Sequence, residues 1–128
     1  MQQLVFIAIG GSAGAVSRYL VSKGINMLST GIFPYGTLAV NIVGAFLIGF
    51  LFSIFNDVVI PVHYKSMITV GFLGSFTTFS TYSLESVSLL MSGEYKVAAL
   101  NILLNNFFSL AAVMGGIILF RLIQQQGT

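Results

Sequence analysis

Apolar residues run almost without interruption along this chain, and the charged positions mark where the runs end. No Asp, Glu, Lys or Arg occurs in residues 1–17, 24–56, 66–84 or 97–120. A helix that crosses a bilayer needs about 20 mostly apolar residues, so the four intervals predict four spans, the third continuing past its acidic end. The helices expected from the pattern cover about 2–22, 36–55, 65–91 and 97–122. Gly31-Ile32-Phe33-Pro34-Tyr35-Gly36 separates the first two, because Pro34 biases Phe33 away from helix and the glycines loosen the backbone. The second connection holds Asn56, Asp57, Pro61 and His63, and the third, Ser92-Gly93-Glu94-Tyr95-Lys96, is a short polar turn suited to joining antiparallel helices. Four spans use up most of residues 1–128, which leaves one all-α integral membrane domain and no room for a second domain or a soluble catalytic module.

Composition agrees. Hydrophobic residues make up 56% and charged residues 6%, with a mean hydropathy of +0.98. Soluble domains carry about 25% charge, so water is excluded as the main solvent. Five scattered basic residues form no nucleic-acid-binding patch, and the absence of cysteine removes disulfides, thiolate metal sites and cysteine nucleophiles. Met1-Gln2-Gln3 lacks the basic flank of a secretory signal, which predicts a retained first helix. The basic residues do not favour one side of a four-span chain. Lys65, Arg121 and the terminal amine fall on one side, and Lys23 and Lys96, with Arg18 near a helix end, on the other. Such balance permits insertion both ways and pairing with an inverted copy; it also occurs in small proteins without consequence.

Small residues four apart, at Gly10 and Gly14, Gly11 and Ala15, Ala111 and Gly115, and Ala112 and Gly116, predict close helix contacts. Polar residues within spans are costly unless they face protein or water. Thr37, Asn41 and Gly44 share a face of the second helix, and Asn101, Asn105 and Ser109 make a stripe on the fourth, with Asn106 beside it. Taken alone, these stripes fit interhelical glue and an ion pathway equally well. The third helix is different. Gly71-Phe72-Leu73-Gly74-Ser75-Phe76-Thr77-Thr78-Phe79-Ser80-Thr81-Tyr82-Ser83 packs hydroxyls and aromatics behind two glycines. This run predicts a break in the third helix at membrane depth, which is tolerated where protein or a water-filled cavity satisfies the freed backbone, in preference to an unbroken helix with its hydroxyls bonded back to the preceding turn. Freed carbonyls are hard oxygen ligands suited to a small cation.

That run, with Gly10 through Tyr19 on the first helix and Gly36 through Gly44 on the second, resembles the Fluc/CrcB family of fluoride ion channels over essentially the full chain. The resemblance implies an antiparallel, dual-topology homodimer in a bacterial cell membrane, with two fluoride pores and a structural sodium ion on the two-fold axis. It implies that the backbone carbonyls of Gly74 and Thr77, two from each chain, hold the sodium. Phe79 and Tyr82 match aromatics flanking the anion path, tyrosine standing where the family has phenylalanine. Asn41 matches the pore asparagine, and Thr37, Ser80, Thr81 and Ser109 the polar lining. Asn105 and Asn101 stand where other members carry different polar residues. Arg18 matches a vestibule arginine and Glu85 a membrane-proximal carboxylate. The implied activity is passive fluoride export that lowers the cytoplasmic concentration; the partners are fluoride, a second copy and the bilayer.

Amide and hydroxyl donors and the positive edges of aromatic rings can replace the water around a small, strongly hydrated anion. A cationic side chain at mid-membrane would hold the ion too long for conduction, and the predicted span centres contain none. A small multidrug-type exporter is the main alternative, but it needs a membrane-embedded carboxylate, and the first helix has no Asp or Glu. A non-transporting membrane scaffold would use the stripes only as glue. An enzyme is the least expected class, since His63, the sole histidine, has no acid or nucleophile at informative spacing.

Overall fold

The computed structural model describes residues 1–127, and these contain helices and no strand. Helix α1 spans Gln2–Leu28, α2 Tyr35–Asp57, α3 Val62–Ser66, α4 Gly74–Phe76, α5 Phe79–Met91 and α6 Tyr95–Gln126, with a π-helical segment at Met67–Leu73 between α3 and α4. Helix α1 runs six residues past its expected end. Charge is a poor end marker here, because Arg18 and Lys23 are good helix formers and the helix continues through them to Ser29, where the backbone becomes extended. The turn that follows is closed by Asn26, whose Oδ1 accepts a hydrogen bond from the Gly36 N–H at 2.9 Å.

Three helices, α1, α2 and α6, are long and apolar enough to cross a membrane. The stretch expected as the third span, 65–91, is divided among α3, the π-helical segment, α4 and α5. Helical geometry stops after Phe76, Thr77 (φ −82°, ψ 160°) and Thr78 (φ −150°, ψ 117°) are extended, and α5 starts afresh at Phe79. The Thr78 side chain caps α5 by accepting from the Thr81 N–H at 3.2 Å, the role for which threonine is favoured before a helix.

Two close contacts organise the packing. Along α1, a side chain at Gly10 would collide with the Met67 carbonyl and one at Gly14 with the Phe72 carbonyl, so the π segment lies backbone to backbone on α1. Along α2 and α6, side chains at Gly49 and Gly116 would strike the Val113 and Phe46 carbonyls. Only one of each predicted pair of small-residue stripes makes the contact, since Gly115 faces nothing nearer than the Phe46 ring at 3.9 Å. Gln3 Nε2 donates to Ser66 Oγ at 2.9 Å, and Gln124 Nε2 donates to Asp57 Oδ2 at 2.8 Å. These bonds tie the start of α1 to α3 and the end of α6 to the end of α2.

The polarity of the interior is inverted relative to a soluble protein. Thr37, Thr78, Ser86, Asn101 and Asn105 are buried, while Val16, Phe52, Leu103, Phe107 and Leu110 are exposed. Such an outer surface suits hydrocarbon, where buried polar groups must find their partners within the protein.

Candidate functional site

The extended pair Thr77–Thr78 is held from α2. Asn41 Oδ1 accepts from the Thr78 N–H at 2.8 Å, and Asn41 Nδ2 donates to the Thr78 carbonyl at 3.1 Å and to Asn105 Oδ1 at 2.9 Å. One amide therefore satisfies both backbone groups of a buried residue that has left the helix, which is what buried backbone requires. Because the Thr78 N–H is turned toward Asn41, the Gly74 carbonyl loses the donor that a continuous helix would give it. The Thr77 carbonyl is approached by Arg18 Nη1 at 3.5 Å, the limit of a hydrogen bond. A carbonyl has two lone pairs, so this approach leaves acceptor capacity at Thr77.

Two concavities meet at Thr78. A groove of about 470 Å3 is lined by Asn41, Gly74, Thr77, Phe79, Tyr82, Asn105 and Ser109, seven of the residues singled out from the sequence. A recess of about 380 Å3 is lined by Arg18, Lys23, Thr37, Thr81 and Glu85. Thr78 lines both. Ser80 lines neither; it is exposed, with its hydroxyl 3.4 Å from that of Thr78.

In the groove, the Phe79 and Tyr82 rings meet edge to face with centroids 5.3 Å apart. Their exposures differ sharply: Phe79 is 77% exposed and Tyr82 is 9% exposed. The Tyr82 hydroxyl accepts from Asn106 Nδ2 at 2.9 Å, which leaves its own hydrogen to donate. In the recess, Thr37 Oγ1 donates to Glu85 Oε1 at 2.7 Å, while Glu85 Oε2 is buried without a hydrogen-bond partner.

A family model described as CrcB-like protein, camphor resistance (CrcB), matches residues 5–117. The chain belongs to the CrcB family. A relative from a Sulfurovum species named fluoride-specific ion channel FluC is 45% identical over 123 residues, covering 94% of this chain and 97% of that protein. Relatives of the same name from a Nitratiruptor species, 44% identical over 90% of this chain and 89% of that protein, and from Vibrio parahaemolyticus, 46% identical over 88% and 90%, agree. With its three long apolar helices, this CrcB chain is a multi-pass membrane protein.

Other parts of the site are not legible in the sequence. Thr78 stands there only as part of a hydroxyl run, yet it is the wall between groove and recess. Ser86 does not stand out either, although it is 4% exposed and accepts from Asn101 Nδ2 at 3.0 Å. Its position one turn after Tyr82 is the available signal. The Thr37–Glu85 bond has no counterpart in spacing, because 48 residues separate the partners.

Proposed function

We propose that this CrcB chain is a subunit of a passive fluoride channel that lets the ion leave the cytoplasm. The observation that carries the reading is the extended Thr77–Thr78 pair, clamped by Asn41, at the junction of an aromatic groove and a polar recess. The relatives named fluoride-specific ion channels supply the identity of the ion. In this reading Asn41, Phe79, Tyr82, Asn105 and Ser109 line the groove part of the path, and Thr37 and Thr81 the part beyond Thr78. Arg18 raises the anion concentration at the mouth. An inside-negative potential favours anion exit by about 2.3 kcal/mol per 100 mV, so neither ATP nor proton coupling is required.

The functional unit in this proposal is an antiparallel homodimer in the cell membrane, each chain one four-span domain with its third span broken at Thr77–Thr78. The second copy covers the open groove and the exposed face of Phe79. Gly74 and Thr77 of both chains would then hold a structural sodium ion. The residues fit: hard carbonyl oxygens suit a small cation, and the Gly74 oxygen has lost its helical donor. The ion would supply fixed positive potential between two pores without entering either.

Purified protein in liposomes should release fluoride and retain chloride, and replacing sodium with a large organic cation should reduce that release at least ten-fold. No fluoride release from a folded dimer would overturn the reading and favour a scaffold. Drug-dependent proton flux would favour an exporter instead. Undiminished flux without sodium would remove the cation alone.

A further inference from the structure

Behind the groove, six hydrogen-bonding groups form a directional chain that leaves the extended pair and returns to the helix after it. The Thr78 N–H donates to Asn41 Oδ1 at 2.8 Å, Asn41 Nδ2 to Asn105 Oδ1 at 2.9 Å, and Asn105 Nδ2 to Asn101 Oδ1 at 2.8 Å. Asn101 Nδ2 then donates to Ser86 Oγ at 3.0 Å, and the Ser86 hydroxyl to the Tyr82 carbonyl at 2.8 Å. The first group can only donate and the last can only accept, and Asn41 Nδ2 also donates to the Thr78 carbonyl and Asn105 Nδ2 to the Asn101 carbonyl at 3.0 Å, so each amide has a single satisfactory orientation. Turning one asparagine over would place donor against donor on one side and acceptor against acceptor on the other. Burial makes that costly: Asn101 is 0% exposed, Ser86 4% and Asn105 5%. The chain also closes a ring through the fold, from Thr78 to α2, across to α6, and back to α5 at Tyr82.

Resting on the channel reading above, we infer that Ser86 and Asn101 are positioning residues for the ion path. They touch neither the groove nor the recess. They brace the Asn105 amide to which Asn41 donates, and through it they fix the extended pair relative to Tyr82. Ser86 is the decisive member, because its hydroxyl gives its hydrogen to the Tyr82 carbonyl and must therefore accept from Asn101.

The test compares Ser86→Ala with Ser86→Thr in the full-length dimer, by fluoride efflux from liposomes and by the side-chain amide NMR signals of Asn41, assigned with Asn41→Asp. Ser86→Ala removes the hydroxyl that accepts from Asn101 and links it to the Tyr82 carbonyl. Asn41, three hydrogen bonds away, should show shifted signals and faster amide-proton exchange, and efflux should fall about five-fold, the effect expected from one neutral buried hydrogen bond. Threonine keeps the hydroxyl and can bond the carbonyl one turn back, so Ser86→Thr should restore the Asn41 signals and bring efflux to within two-fold of the parent. If Ser86→Ala leaves the Asn41 signals unchanged, the inference is overturned, whether or not efflux falls. If the parent protein does not conduct, the channel reading fails, while the NMR comparison still decides whether Ser86 is coupled to Asn41 through the chain.

Discussion

At the scale of single residues, the site depends on which polar atoms are already occupied. Tyr82 shows this most directly. From the sequence, a tyrosine in place of phenylalanine promises an extra donor beside the anion path. In the structure its hydroxyl also accepts from Asn106, whose Nδ2 donates to the Ile102 carbonyl at 2.7 Å as well. Tyr82→Phe leaves Asn106 that second partner and preserves the ring against Phe79. The variant should lose about 1 kcal/mol of stability, the net worth of one neutral hydrogen bond, and keep fluoride efflux within about three-fold. Thermal unfolding of the purified dimer and liposome efflux check the two parts; a loss beyond ten-fold would make the hydroxyl a direct ion ligand. Residue types were legible because asparagines and hydroxyls within spans are costly and therefore conspicuous. Their partners were not, because Asn41 meets Asn105 across 64 positions and Asn101 meets Ser86 across a turn whose geometry spacing does not give.

At the scale of elements, the pattern of apolar runs predicted α2 and α6 to within a few residues. It stopped α1 early, and it indicated where the third helix would be interrupted without giving the form. Two glycines and paired threonines pointed to Thr77 and Thr78, but the π-helical segment before them has no marker of its own. It lies where Gly71 packs against α1, with a side chain there 2.6 Å from the Ile7 carbonyl, a contact between residues 64 positions apart that local sequence does not mark. A second crossing controls the interruption from α2. A side chain at Gly44 would collide with the Thr77 Cγ2 methyl, while its next neighbours, Phe76 Cδ1 at 3.4 Å and Thr77 Cβ at 3.6 Å, would tolerate it. Gly44→Ala should therefore push Thr77 out of place, at about 1–3 kcal/mol, the usual cost of overpacking, and depress efflux. Thr77→Ser alone should be mild, because serine keeps the hydroxyl that donates to the Leu73 carbonyl at 2.9 Å. In the double variant the colliding methyl is gone, so efflux should recover most of the way to the parent. Additive loss in the double variant would show that the crossing does not act through that methyl.

At the scale of the whole molecule, the distribution of charge matters more than its amount. Contacts of α1 with α3 and of α2 with α6 gather Gln3, Ser66, Asp57 and Gln124 at helix ends near the termini, while Arg18 and Lys23 share the recess toward the other end of α1. Neither end outweighs the other in basic residues, which is the balance the proposed antiparallel pair of identical chains requires. If the pair is the conducting unit, forcing one orientation should abolish it. Gln2→Lys with Gln126→Lys adds charge at the terminal end, and Thr30→Lys with Gly31→Lys adds it at the other; all four positions are exposed. Each double variant expressed alone should insert one way, as reporter fusions would show, and protect cells poorly against fluoride. Expressed together they should restore protection to near the parent level, because only the mixture supplies both orientations. Full protection by either variant alone, with its single orientation verified, would rule out the inverted pair and require a pore that one orientation can complete.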